Sequence, residues 1–141
     1  ICTDIGSGPG LPGIVLAIIM KYKKPSLKFN LYEKSHHKSN FLKDMTRKFK
    51  LNTEIFKKDI FKEKNLETDL IVARAFKPLP IILELATSNF RKFENIILFL
   101  GKTGKEILSK ALSEWQFEYK EKKSLTNKES FLIKISNLKK K

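Results

Sequence analysis

The chain has 141 residues, 41% of them hydrophobic, which is enough for one domain with a hydrophobic core. Lysine and arginine number 29 against 15 aspartates and glutamates, a net charge of +14, which favours a nucleic acid or an anionic membrane surface over an acidic protein as partner. A lysine-rich, merely solvated surface is the alternative interpretation of that charge. The single cysteine, Cys2, excludes an internal disulfide and fits a reducing cytosol.

The longest apolar stretch, Ile14 to Met20, is far shorter than the roughly 20 residues that a membrane-spanning helix needs. We therefore predict a core helix there and a cytoplasmic, monomeric protein without a membrane partner. Ile1, Cys2 and Thr3 have the character of the second half of a strand, with no initiating Met and no signal peptide before them. We expect the chain to begin inside a longer protein.

Strand-like and helix-like segments alternate along the chain without internal repeats. Prolines at helix starts and ends, and Ser35 as a helix cap, set several of the boundaries. The second helix is predicted to carry Phe41, Leu42, Met45 and Phe49 on one face. After the opening strand, the predicted elements are a helix over Ile14–Lys23, a strand over Leu27–Glu33, a helix from Ser35 to Asn52, strands over Thr53–Phe56 and Asp69–Ala73, a helix from Pro78 or Pro80 to Phe90, a strand over Asn95–Leu100 and a helix from about Thr103 to Trp115.

The last part of the chain changes character. Gln116–Lys123 and Ser130–Ile135 are predicted strands, and the stretch LTNKE between them leaves no room for a crossover helix. We therefore expect an antiparallel hairpin. The closing lysines, residues 139–141, are either RNA contacts or a solvated tail. The expected fold is α/β, with five strands each followed by a helix and then the hairpin.

This order of elements resembles the class I S-adenosylmethionine (SAM) methyltransferases, which have a Rossmann-like, mostly parallel sheet that ends in an antiparallel strand. NAD-type Rossmann domains continue instead with parallel βα units. In either arrangement the ligand lies at the carboxyl ends of the strands, beside strand one. The stretch DIGSGPG places Gly6, Gly8 and Gly10 there, where a sharp turn and a close approach of ligand to backbone favour residues without a Cβ. Leu11 occupies the position of the third glycine of a dinucleotide fingerprint, so G-x-G-x-G fits the methyltransferase loop better.

Two further residues are candidates for the same site. Glu33 ends predicted strand two, where an acid can accept hydrogen bonds from two ribose hydroxyls. Arg74 stands between two alanines directly after the apolar strand DLIVA, so it is either a buried charge with a partner or a functional group at the cleft. A functional guanidinium there would hold the cofactor carboxylate or a guanine, and the sequence leaves both open.

Two motifs make the resemblance specific. DIGSGPGLPGIVLAI and, about sixty residues later, DLIVARAFKPL are similar to the RsmG (GidB) family, which makes 7-methylguanosine in small-subunit ribosomal RNA. The similarity covers the whole chain, and so implies one SAM-dependent 16S rRNA (guanine-N7) methyltransferase domain over residues 1–141. Family members also carry an N-terminal helical segment before the glycine loop, which this chain is expected to lack.

The resemblance also implies roles for individual residues. Gly6 and Leu11 line the methionine and adenosine side of the cofactor loop, and Lys58 and Asp59, in the stretch KKDIF, contact the adenine. Arg74 matches the family arginine and is the predicted catalytic residue. The chain departs from the family at Leu100-Gly101-Lys102, where many relatives have Leu-Lys-Gly.

The expected chemistry agrees with what the sequence omits. Guanine N7 carries a lone pair and no proton, so its methylation needs alignment but no general base. The Asn/Asp-Pro-Pro-aromatic motif of exocyclic-amine methyltransferases is replaced by residues 74–77, and Cys2 lies inside strand one, away from a nucleophile's position. His36 and His37 lack a third ligand nearby, so no metal is expected.

Two other functions stay open at this point. One is a methyltransferase that acts on a protein or a small molecule. The other is a basic RNA-binding or ribosome-assembly factor that has kept the fold without catalysis.

Overall fold

The computed structural model describes residues 1–7, 10–74 and 77–141. Strands and helices alternate through most of these residues. The strands are β1 (Cys2–Asp4), β2 (Phe29–Tyr32), β3 (Thr53–Phe56), β4 (Leu66–Glu67), β5 (Leu70–Arg74), β6 (Phe90–Lys92), β7 (Asn95–Leu100), β8 (Trp115–Lys123) and β9 (Phe131–Lys140). The helices are α1 (Gly13–Lys23), α2 (His36–Lys48), α3 (Leu79–Asn89) and α4 (Gly104–Glu114).

Seven strands form one sheet in the order β3-β2-β1-β5-β7-β9-β8. Strands β3, β2, β1, β5 and β7 are parallel, whereas β9 runs antiparallel to both β7 and β8. The prediction of a mostly parallel sheet that ends in an antiparallel hairpin is confirmed. The order reverses beside β1, because the chain first builds outward through β2 and β3 and then returns to β5 on the other side.

Each face of the sheet has its own apolar core. On one face Leu31 and Val72 pack with Leu42 of α2 and with α1. On the other face Trp115 and Ile133 belong to a larger cluster with α3 and α4. Burial of apolar side chains on both faces is the main stabilising contribution in a sheet of this kind.

The prediction of a helix after every strand is wrong after β3. Between β3 and β5 the chain forms only a 3-10 turn, Ile60–Lys62, and the two-residue strand β4, which pairs with β6. The Asn89 side-chain amide, at the end of α3, donates to the carbonyls of Ile60 at 3.2 Å and Glu63 at 2.7 Å. The Ile60 carbonyl also accepts the N–H of Glu63 at 3.1 Å within the 3-10 turn, so the distant Asn89 side chain holds a turn that does not continue as a helix.

Two other expectations need correction. Strand β9 runs to Lys140, and Lys140 pairs with Trp115 and forms an ion pair with Glu84 at 3.1 Å, so the closing lysines are not simply a solvated tail.

On α2 the predicted apolar face is only partly used, since Leu42 is buried but Phe41 is 48% exposed. Among the predicted alternatives for the start of α3, Pro78 is its N-cap.

Gly13 allows a direct test of how closely α1 packs on the sheet. A Cβ at Gly13 would lie 2.5 Å from Leu31 Cδ2 and 2.7 Å from Asp4 Oδ2, whereas a Cβ at Gly101 would meet no atom within 4 Å. We expect Gly13→Ala to lose about 1–3 kcal/mol by overpacking, which lowers the melting temperature by about 3–9 °C. Gly101→Ala is the control and should melt like the wild type. Equal melting temperatures of the two variants in circular dichroism would refute this packing.

Candidate functional site

A cavity of about 720 Å³ opens at the carboxyl edge of the parallel strands, where the strand order reverses. Its walls come from the loop between β1 and α1, the residues that follow β2, the turn after β3 and the end of β5. This edge is where open α/β sheets bind ligands, because loops on the two sides of the reversal diverge and leave a crevice.

The cavity brings most of the predicted site residues together. Gly10 does not line the cavity, and a Cβ at this residue would point at Ile14 and Leu42 instead. Its φ of +100° is a turn conformation that glycine adopts easily. Gly8 lies outside the described residues. The predicted residues that line the cavity are Gly6, Leu11, Glu33, Lys58, Asp59 and Arg74.

Asp4, at the end of β1, holds the glycine loop in place. Its carboxylate is fully buried and accepts hydrogen bonds from the backbone N–H of Gly6 at 3.3 Å and of Gly13 at 2.9 Å. Burial raises the pKa of Asp4 to about 6, and the neighbouring charge of Glu33 adds to the shift. Sequence reasoning did not select Asp4, although an acid between a buried strand and a glycine-rich loop was the available signal.

The loop and Glu33 are fixed by backbone hydrogen bonds across β2. The N–H of Ser7 donates to the carbonyl of Tyr32 at 3.0 Å, and the N–H of Glu33 donates to the carbonyl of Phe56 at 3.0 Å. The Glu33 side chain in turn accepts from the N–H of Ser35 at 3.0 Å, directly before α2. Glu33 thus follows β2 rather than ending it, with its carboxylate at the cavity wall.

Lys58 and Asp59 build the wall on the β3 side. Asp59 caps the 3-10 turn by accepting from the N–H of Phe61 at 3.0 Å, which sets Ile60 and Phe61 against the cavity. Lys58 forms an ion pair with Glu63 at 3.2 Å. Beneath them the rings of Tyr32 and Phe56 stack with centroids 4.7 Å apart, an aromatic pair of the offset-stacked kind.

Arg74 is the last residue of β5 and is exposed. Its guanidinium makes no hydrogen bond or ion pair with any residue in the described ranges, so the buried-charge alternative does not hold. Lys34, Lys38 and Lys77 also line the cavity, and sequence reasoning did not select them. The mouth of the cavity therefore carries more positive charge, from Arg74 and the lysines, than negative charge from Glu33 and Asp59.

Several other groups can be assigned to structural positions. Burial raises the pKa of the Cys2 thiol to about 12, which makes it a poor nucleophile at neutral pH.

Within residues 1–7, 10–74 and 77–141 no three His, Cys, Asp or Glu side chains are grouped so that they could hold a metal ion. The ring nitrogens of His36 lie 3.2 Å from Asn40 Nδ2 and 2.9 Å from Lys57 Nζ. None of the described helices is both long enough and apolar enough to span a bilayer.

The fold is that of the class I methyltransferases, as similar solved structures show. The chain resembles M. capricolum TrmK, solved with S-adenosyl-homocysteine, with a TM-score of 0.69 and 17% identity over 96% of this chain and 61% of that one. It resembles a chain of the fibrillarin/Nop5p complex with a TM-score of 0.68 and 15% identity, over 96% of this chain and 71% of that one. For M. jannaschii TYW2, solved with AdoMet, the TM-score is 0.65 at 15% identity, over 99% of this chain and 68% of that one.

Sequence comparison gives the family. The model of the GidB family, rRNA small subunit methyltransferase G, matches residues 1–134, and the chain belongs to that family. Ribosomal RNA small subunit methyltransferase G of Pelagibacter ubique is 50% identical over all 141 residues, which are 66% of its own length. The protein of the same name in Dinoroseobacter shibae is 34% identical over 94% of this chain and 68% of its own length. The chain thus spans about two thirds of the length of these curated relatives.

The raised pKa of Asp4 predicts a pH-dependent stability. Because the carboxyl titrates near pH 6 in the folded protein and near pH 4 when unfolded, the folded state binds more protons between these values. The contribution of Asp4 to the free energy of unfolding should therefore be fully present below about pH 4. It should fall by about 3 kcal/mol as the pH rises to 6.

We expect the unfolding free energy of the wild type minus that of Asp4→Asn to fall by this amount between pH 4 and pH 7, measured by urea denaturation. Asp44→Asn, at an exposed residue of α2, is the control and should show no such trend. A pH-independent difference between wild type and Asp4→Asn would contradict a raised pKa.

Proposed function

We propose that this chain is the catalytic, SAM-binding domain of an enzyme that methylates N7 of a guanine in 16S ribosomal RNA. The observation that carries the proposal is the cavity that groups Gly6, Glu33 and Arg74 at the reversal of strand order, in a chain of the rRNA small subunit methyltransferase G family. We further propose that residues 1–141 act as one domain of a cytoplasmic, monomeric protein.

The cavity suits a nucleoside cofactor in size and chemistry. Its volume of about 720 Å³ lies within the roughly 300–1,000 Å³ of small-molecule sites. The Glu33 carboxylate supplies acceptors for two neighbouring hydroxyls, and Leu11, Ile60 and Phe61 supply apolar walls for a purine ring. SAM, when bound, supplies a methyl group activated by a positively charged sulfur.

N7 of guanine suits a site that aligns its substrate without a proton acceptor. The N7 lone pair lies in the ring plane and carries no proton, so its methylation releases none from that atom. Among the described residues that line the cavity there is no histidine and no cysteine. Its two carboxylates have other tasks, since Asp59 caps the 3-10 turn and Glu33, which accepts from the N–H of Ser35, is assigned to the cofactor hydroxyls. The task of these residues is orientation, which by itself can supply several kcal/mol of the barrier.

We assign Arg74 to the guanine. Its exposed guanidinium has no competing partner among the described residues, and donation to guanine O6 would orient the base. A grip on both O6 and N7 is incompatible with the reaction, because the N7 lone pair must stay free. Arg74 therefore acts as a catalytic residue through O6 alone.

Glu33→Gln tests the cofactor site. A carboxylate accepts stronger, charge-assisted hydrogen bonds than an amide, so we expect the affinity for S-adenosylhomocysteine to fall about tenfold. Glu94→Gln removes the same charge in the turn before β7 and should bind like the wild type. The measurement is isothermal titration calorimetry, and unchanged affinity of Glu33→Gln would rule out this site.

Arg74→Ala and Arg74→Lys test the assignment to guanine. Lysine keeps the charge but loses the planar donor fork, so both variants should lower methylation of small ribosomal subunits at least about tenfold. The melting temperature should not change, because the residue is exposed, and affinity for S-adenosylhomocysteine should not change, because this assignment gives Arg74 to the base and not to the cofactor. Arg91→Ala, which breaks an exposed ion pair with Glu67, is the control for lost charge. Normal methylation by a folded Arg74→Ala enzyme would contradict the assignment.

A further inference from the structure

A second cavity, of about 430 Å³, lies between the start of α4 and the turn that joins β8 to β9. Four lysines line it, and we call it the lysine cleft: Lys102, Lys105, Lys123 and Lys128. All four are exposed, and none forms an ion pair within the described part of the chain. Glu121 and Glu129 also line the cleft, which leaves the lysines in excess.

The lysine cleft opens at the same edge of the sheet as the cofactor cavity. Arg74, the last residue of β5, pairs with Phe99, and the next residue of β7, Leu100, pairs with Phe131. Phe131 in turn pairs with Lys123, the last residue of β8. The backbones of Arg74 and Lys123 are thus three strand spacings apart across the sheet, a distance of about 14 Å.

The arrangement of these charges favours an anionic ligand. Lys105 lies in the first turn of α4 and Lys102 just before it, at the helix end where the macrodipole disfavours a positive charge. Like charges gathered in one cleft repel each other, and an anion relieves that repulsion. Flexible lysine ammonium groups suit phosphates, which position a nucleic acid without reading its sequence.

We propose that the lysine cleft binds the phosphate backbone of the substrate RNA next to the target guanine, an inference that rests on the proposed function. The four lysines are positioning residues, which hold the strand while its guanine enters the cavity beside Arg74. An RNA strand fits better than an acidic protein, because the cleft and the basic mouth formed by Lys34, Lys38 and Lys77 open at the same edge of the sheet.

Two double variants of the full-length protein test this site. Lys105→Gln/Lys123→Gln removes two cleft charges, from α4 and from the hairpin. Lys110→Gln/Lys134→Gln removes two exposed charges from the same helix and hairpin, farther from that edge. Binding of a fluorescent single-stranded RNA oligonucleotide is measured by anisotropy at several salt concentrations. Each lost phosphate contact on a single strand lowers the slope of log affinity against log salt by about 0.7, so the cleft variant should lose about 1.4 and the control nothing.

Activity and cofactor binding separate the possible outcomes. We expect the cleft variant to raise KM for small ribosomal subunits several-fold with kcat and S-adenosylhomocysteine affinity unchanged. Salt slopes that match between the cleft and control variants would overturn the cleft as the RNA site while leaving the proposed function intact. A cleft variant that keeps RNA binding but loses binding to assembled subunits would assign the cleft to a protein instead. A wild-type protein that neither binds RNA nor transfers a methyl group would overturn the proposed function itself.

Discussion

The buried carboxylate of Asp4 ties together the end of β1, the loop that forms one wall of the cavity, and the start of α1. It accepts hydrogen bonds from Gly6 in the loop and from Gly13 at the first residue of α1, so the end of β1, the loop and the helix are held as one unit. The same contact explains the glycine at the start of the helix, because a Cβ at Gly13 would lie 2.7 Å from the carboxylate. The raised pKa of Asp4 is a consequence of burying this anchor.

The sequence predicted the parts of the fold that depend on local pattern. The buried runs DLIVA and NIILFL became the central strands β5 and β7, and the short link LTNKE required the hairpin. It did not predict features that depend on distant partners. The turn after β3 is held by Asn89, 29 residues beyond Ile60, and the length of β9 follows from its pairing with β8. Periodicity also placed Phe41 on an apolar face that the sheet leaves partly exposed.

Site residues were predicted where strand ends and a family motif mark them. Glu33 and Arg74 line the cavity as their predicted positions at the carboxyl ends of two strands suggested, and Lys58 and Asp59 line it as well. Their contacts were not predictable, since Asp59 caps a turn that no local pattern indicated and Lys58 pairs with Glu63. The net charge of +14 favoured a polyanion without locating it. The structure gathers part of that charge at the edge where the cavity opens.

Mass-spectrometric mapping of 7-methylguanosine in small-subunit ribosomal RNA is the most direct test of the proposed activity. RNA is compared from cells that carry the full-length gene, cells in which it is deleted, and deleted cells that carry it on a plasmid. We predict that one 7-methylguanosine disappears on deletion and returns with the plasmid, while other modified nucleotides are unchanged. An identical set of 7-methylguanosines in all three RNAs would contradict guanine-N7 methylation by this protein.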